Sequence, residues 1–179
     1  PNSNNFTVAA GTLTKTEDNP SNVFATLNPL SATASNYTFS NGNTKVNNSH
    51  GSTRTTVSAI GAITGKYYAE AKIIAMGGNL GDETTLLIGV TNTDYFENTN
   101  TTTAFGQGST EVAMAVQRSL IRKNGSNAQT SLTSYSVNDI VGIALDCDNN
   151  TVQFYKNGSA NGTTTSIDAD KFYLFGASG

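Results

Sequence analysis

The sequence predicts an all-β fold, an antiparallel sandwich of two packed sheets. Three observations carry that prediction. Apolar residues recur at period two or in short continuous runs. Turn dipeptides, above all Asn-Gly, separate those runs at close spacing. No long window holds apolar residues at helical spacing without a Gly or Asn interrupting it. Strands that follow one another with no helix between them pair antiparallel, and each sheet must bury one face against a second.

The elements follow in order. Phe6-Thr7-Val8-Ala9 is a short strand, and Asp18-Asn19-Pro20-Ser21-Asn22 is a turn. Val23 to Leu27 leads into a turn at Asn28-Pro29. Asn36 to Ser40 is a strand closed by Asn41-Gly42, with Thr44-Lys45-Val46 as its hairpin partner; Asn-Gly supplies the positive φ values that a two-residue type I′ turn requires. Ser52 to Val57 is polar and β-branched, a strand with one side toward solvent, and Ile60 to Ile63 runs into a turn at Thr64-Gly65. Lys66 to Ile73 alternates, which puts Tyr67, Ala69, Ala71 and Ile73 on the core side and Tyr68, Glu70 and Lys72 on the other. Residues 76–84 are a Gly-rich, partly acidic loop, and Thr85 to Val90 is a continuous apolar run of the kind buried on both sides. Residues 91–110 form a long Asn/Thr/Gly stretch bearing Tyr95, Phe96 and Phe105.

The last third reads as hairpins. Val112 to Val116 and Ser119 to Arg122 are strands, stopped by Asn124-Gly125. Ile140 to Leu145 is a buried strand, Asp148-Asn149-Asn150 a turn, and Thr151 to Tyr155 an alternating strand before Asn157-Gly158. Phe172 to Phe175 is a final strong strand. The predicted core comprises Tyr67, Ile73, Leu87, Ile88, Val90, Ile140, Ile143, Leu145, Val152, Phe154 and Phe172.

With 179 residues and no shift of composition, the chain reads as a single domain over 1–179. A strong strand so close to Gly179 suggests a fragment of a longer polypeptide. Such a length buries roughly 70% of the unfolded chain's surface, so folding needs neither disulfide nor metal. Charged residues make up only 13%, and Asn, Thr, Ser and Gly supply the remaining polarity. Ten basic residues against thirteen acidic ones, with Arg118, Arg122 and Lys123 as the single local cluster, give no nucleic-acid footprint. No run approaches the ~20 apolar residues of a membrane span. One cysteine, Cys147, makes no internal disulfide and reads as a small core residue.

Constellations for catalysis do not assemble. His50 is the single histidine, no Gly-x-Ser-x-Gly elbow surrounds a serine, and one His with one Cys cannot build a histidine metal cluster. Asp146-Cys147-Asp148-Asn149-Asn150 opens like a calcium loop but has Thr151 and Asn157 where that loop needs Gly and Glu. Glycoside hydrolysis needs two acids across a cleft; Asp82 and Glu83 are adjacent, and Glu70 sits on a strand face. Gly77-Gly78-Asn79-Leu80-Gly81 has no following helix or Lys to cradle phosphate. The reading is therefore a non-enzymatic chain with no cofactor and no metal. The best ligand candidates lie on the loops 76–84 and 91–110: Asn79, Asp82, Tyr95, Phe96, Phe105 and Gln107. Long loops inside compact domains are usually functional, and aromatic rings give contact area at low entropy cost. The alternative for the rings is that they fold inward as a lid on the core.

Several segments together resemble the SPRY (B30.2-like) family. Gly65-Lys66-Tyr67-Tyr68-Ala69-Glu70-Ala71 is similar to that family's GKYYWEV strand, with Ala69 in place of Trp. Leu87-Ile88-Gly89-Val90 fits its IGV strand. Tyr135 to Asp146 is similar to Y-x-x-GD-x-IG-x-ALD, with Asn138 for the Gly before Asp139, and Asn150 to Gly158 is similar to G-x-I-x-FYKNG. Asp18 to Leu30 further resembles the opening of SPRY-like modules in bacteriophage tail fibres and related adsorption proteins. The resemblance implies a concanavalin-like jelly roll and a binding module of a virion appendage. It would recognise a glycan or protein receptor on the host surface, contact other virion proteins, form a homo-oligomer in that appendage, and touch neither nucleic acid nor the membrane interior. Two other classes stay open: a structural decoration or assembly domain of the virion, and a glycan-active enzyme, which would need a deep groove lined by two carboxylates.

Overall fold

The computed structural model describes residues 25–31, 37–48, 55–77, 86–93, 105, 108 and 111–179. Thirteen strands run through them: β1 (Tyr37–Ser40), β2 (Lys45–Asn48), β3 (Thr55–Ala62), β4 (Lys66–Lys72), β5 (Leu87–Asn92), β6 (Glu111–Ala115), β7 (Leu120–Lys123), β8 (Ser126–Gln129), β9 (Ile140–Asp146), β10 (Thr151–Lys156), β11 (Ser159–Ala160), β12 (Thr165–Ser166) and β13 (Tyr173–Ser178). The described residues contain no helix. The larger sheet has the order β3-β13-β5-β6-β7-β8, and the smaller β11-β10-β9-β4, with β12 also on β10. Every pairing in both sheets is antiparallel. β1 and β2 form a separate hairpin.

The two sheets pack as a sandwich. One buried cluster joins Ile88, Val90, Val112, Met114 and Ile121 of the larger sheet to Val141, Ile143, Leu145, Val152 and Phe154 of the smaller. Period-two alternation produces this: even-numbered residues of β5 and β6 face the partner sheet, as do odd-numbered residues of the central part of β9. A second cluster, Leu87, Phe105, Ala113, Ala115 and Leu120, covers the opposite face of the larger sheet. β5 is therefore buried along its whole length, as its continuous apolar run predicts.

Turn chemistry sets the register. Asn124-Gly125 and Asn157-Gly158 both have positive φ at both positions and join strands paired at Lys123↔Ser126 and Lys156↔Ser159, which are two-residue hairpins. Asn41-Gly42 departs from the expectation of a two-residue turn. Asn43 also takes a positive φ, and the strands close at Ser40↔Lys45 around a four-residue loop in which the Thr44 hydroxyl donates to the Asn41 carbonyl at 2.7 Å.

Some expected burials are corrected. Tyr67 is 46% exposed and Phe172 39%, and Ile140 is half-buried. Tyr67 lies at the Lys66 end of β4, the outermost strand of its sheet, and its ring turns back beside Gly65. Phe172 precedes β13 and lies against Gly61 near the end of β3. Conversely Thr55, Thr56, Val57 and Ser58 are all buried, not half-solvated. β13 pairs with β3 on one side, and residues 26–28 close the other through Asn28 N–H to Val57 C=O and Ala59 N–H to Thr26 C=O, both 2.7 Å. The Ser58 hydroxyl also accepts the Phe175 N–H at 3.1 Å, where the β3–β13 register shifts between Leu174 and Gly176. The expected strand Phe6–Ala9 and the loop residue His50 lie outside the described residues.

Candidate binding surface

The two loops expected to carry recognition leave opposite ends of β5. Residues 73–86 enter at Leu87, and residues 93–110 leave after Asn92 and return at Glu111, which faces Thr91. The first connection is held where it approaches the sheet: the Gln117 side chain accepts Leu86 N–H and donates to the Gly77 carbonyl, both at 3.0 Å. The second is held at Phe105 and Gly108. Glu111, itself buried, accepts the Gly108 N–H at 3.0 Å.

Phe105 is fully buried, so its ring is not offered to a ligand. It packs on Leu87, Ala113, Ala115 and Leu120 and fills the space left by the missing side chain of Gly176, near whose Cβ position its ring edge lies at 3.0 Å. For this ring the inward reading is the one the structure gives. Glycine at Gly176 and alanine at Ala113 and Ala115 leave a shallow bed that a phenyl ring fits, and removing the ring from water supplies the driving force. The other loop candidates, Asn79, Asp82, Tyr95, Phe96 and Gln107, lie outside the described residues.

Two polar clamps hold the ends of β9, and they explain why the motif residues occur where they do. At its start, Asp139 accepts the Asn157 amide at 2.7 Å and the Ser136 N–H at 2.8 Å and pairs with Lys156 at 3.1 Å. These donors, Asn157 foremost, hold its carboxyl at about 2, below the usual aspartate value. Asn157 in turn accepts Ile140 N–H at 2.8 Å, and Lys156 lies over the Tyr135 ring. At the other end Asp146 accepts the Asn149 side chain and N–H, at 2.8 and 2.9 Å, and pairs with Lys66 at 2.9 Å. Its carboxyl is likewise held at about 2, first by the Asn149 side chain and then by Lys66. Asp148 accepts the Gly65 N–H at 2.7 Å. The residues that open like a calcium loop thus spend their oxygens on strand ends, and no group of three or more His, Cys, Asp or Glu able to hold a metal occurs among the described residues.

The carboxylates do not assemble a hydrolytic cleft among the described residues. Glu111 and Asp168 do line one recess, with Lys123 and Tyr173, but it measures about 10 Å³, room for about one water and not for a sugar ring. A larger recess of about 410 Å³ lies against β3, lined by Asn28, Leu30, Ser31, Val57, Ser58, Ala59 and Leu174, with no acid or base in its wall.

The outer face of the smaller sheet carries a side-chain group built on the side of β4 that alternation turns away from the core. Tyr68 and Glu70 of β4, Gly142 of β9 and Tyr155 of β10 are neighbours across the strands, in the register Glu70↔Gly142↔Tyr155. The Tyr68 hydroxyl lies over Gly142 and donates to Glu70 at 3.0 Å. Tyr155 stands edge-on to Tyr68, with ring centroids 6.1 Å apart at 74°. Alternation signalled that Tyr68 and Glu70 point outward; that they meet Tyr155 required the cross-strand register, which sequence alone does not supply.

Comparison with known proteins follows the same lines. A family model described as the SPRY domain matches residues 66–177, from the first residue of β4 to the penultimate residue of β13. Among solved structures, the SPRY domain of human HERC1 superposes with a TM-score of 0.59 at 18% identity, covering 74% of this chain and 78% of that one. The TRIM65 PSpry domain superposes with a TM-score of 0.60 at 16% identity, covering 86% and 89%. At these identities the likeness is one of fold. No curated protein matches the chain.

Proposed function

This chain belongs to the SPRY domain family, and from that premise we propose that it is a non-catalytic binding module of a bacteriophage virion appendage, serving adsorption to the host surface. SPRY domains are generally binding modules. The observation that carries the reading is the anchoring of the long connection 93–110. Phe105 is sunk in its bed on the outer face of the larger sheet, and Glu111 ties down Gly108, so the connection is fixed to the sheet at two points. Preorganisation of that kind lowers the ordering cost of recognition. The virion setting rests on the resemblance of Asp18 to Leu30 to the opening of phage adsorption modules.

Alanine at both Tyr95 and Phe96 tests it in assembled particles. Complete particles that no longer adsorb to cells support recognition by this loop. Particles that lack the appendage or fall apart favour the structural alternative, in which the domain packs on other virion proteins. Undiminished adsorption removes the loop from the site.

A further inference from the structure

β4 ends the smaller sheet, and no strand among the described residues pairs with its outer edge. Its hydrogen bonds to β9 run through odd-numbered residues: Cys147 N–H donates to Gly65 C=O and Ile73 N–H to Asp139 C=O, both at 3.0 Å. By antiparallel alternation the backbone groups of Lys66, Tyr68, Glu70 and Lys72 then turn away from β9, toward the open edge. The same four residues send their side chains to the outer face. Among the described residues, four main-chain sites and a side-chain surface are thus left together without a strand partner.

That surface has a charge to be matched. Glu70 receives the Tyr68 hydroxyl and forms no ion pair among the described residues. Lys66 is engaged by Asp146 and Lys156 by Asp139, and Lys72 makes no ion pair with Glu70. Tyr68, 53% exposed, lies across Gly142 with Tyr155 as a wall beside it. An exposed phenol ring next to a carboxylate with no ion-pair partner among the described residues complements a cation, and a planar guanidinium can stack on the ring while its N–H groups reach the carboxylate.

We propose that the open edge of β4 accepts an extended segment of a protein partner as an added strand, with an arginine of that segment seated over Tyr68 and paired to Glu70. Main-chain bonds to the edge supply affinity, and the arginine supplies specificity. A residue directly opposite on the added strand stands about 5 Å from its neighbour, within reach of both side chains.

The test uses the 179-residue domain and an end-blocked peptide alternating threonine with arginine, against one alternating threonine with glutamate. Amide NMR shifts locate binding and titration measures it. The arginine peptide should shift the amides of Lys66, Tyr68, Glu70 and Lys72. Its Kd should rise about tenfold in Glu70→Gln and in Tyr68→Ala, while Tyr68→Phe, which keeps the ring, binds nearly as wild type. Both residues are exposed, so unchanged thermal midpoints confirm that the variants fold. Equal binding of the two peptides, shifts confined to residues away from β4, or affinity untouched by Glu70→Gln and Tyr68→Ala would each overturn the proposal. So would a neutral glycan occupying this face where the arginine peptide does not.

Discussion

Asn157 and Asp139, eighteen residues apart in sequence, close the start of the central strand of the smaller sheet: the Asn157 amide donates to Asp139 at 2.7 Å while its carbonyl oxygen accepts the N–H of Ile140 at 2.8 Å. One asparagine, in a left-handed conformation that the hairpin turn requires, therefore ties the β10–β11 turn to the entry of β9. The family's Asp and Lys-Asn-Gly motifs are two halves of a single clamp.

That clamp makes stability sensitive to acid. Asp139 and Asp146 are both held at about 2 in the folded state, below the ordinary 3.8. A depressed carboxylate contributes stability that is fully present above its unfolded value and is lost as pH falls through the folded one. Urea midpoints should therefore drop between pH 3.8 and about pH 2. Asp139→Asn should flatten that decline while lowering the midpoint at neutral pH. An acid limb as steep in the variant as in wild type would show that Asp139 takes no part.

Core and margin should respond differently to the same substitution. Leu145, one residue before the end of β9, is 1% exposed, so Leu145→Ala should cost about 2–5 kcal/mol through the cavity it leaves. Tyr67, directly opposite on β4 but largely exposed, should cost less than about 1 kcal/mol when cut to alanine. Denaturant unfolding of the two variants reads both, and equal costs would contradict the placement of Tyr67 at the sheet margin.

Phe105→Ala should cost about 3–5 kcal/mol, the loss typical of a fully buried phenylalanine. It should also raise hydrogen exchange at Gly108, whose N–H is held by the neighbouring Glu111. A stability change below about 1 kcal/mol would mean that the ring is not seated on Gly176.

Chelation should leave the thermal midpoint unchanged. Asp146 is occupied by Asn149 and Lys66, and Asp148 by Gly65, so a cation would have to displace bonds already made. A fall in midpoint with EDTA, restored by calcium, would point to these two aspartates.

What the sequence reveals and what it withholds divide along physical lines. Asn124-Gly125 and Asn157-Gly158 announce their turns because few residues tolerate two consecutive positive φ values. Leu87 to Val90 announces a strand buried on both faces because nothing polar interrupts it. Period two also gives the phase of β4 correctly, with Ile73 inside and Glu70 outside. It cannot say where the opposing sheet stops, so Tyr67 and Phe172 are misplaced. Nor can it say what lies across a strand: Tyr155 reaches Tyr68 only through the register of β9 between them. Phe105 sits in a Thr-rich stretch with no period at all, and the bed that holds it joins Ala113 and Ala115 of the next strand to Gly176, far away in the chain.

Two glycines should separate backbone crowding from side-chain crowding. Neither Gly89 nor Gly142 has a positive φ, so alanine would strain neither backbone in itself. A Cβ at Gly89 would collide with the Val112 carbonyl and lie 2.7 Å from the Ala113 Cα, both main-chain atoms of a strand fixed on both sides. They cannot yield without moving β6, and Gly89→Ala should cost about 1–3 kcal/mol or more. A Cβ at Gly142 would meet the hydroxyl end of Tyr68, an exposed side chain free to swing outward, and then the Tyr155 Cβ at 3.1 Å. Gly142→Ala should therefore cost less than about 1 kcal/mol while breaking the Tyr68–Glu70 hydrogen bond. Urea unfolding measures the first difference, and a change in tyrosine fluorescence or in the Tyr68 ring shifts reports the second. Equal destabilisation by the two alanines would mean that Tyr68 is as rigidly placed as the main chain of β6, and the outer face of the smaller sheet would then be a fixed surface rather than one that a ligand can reshape.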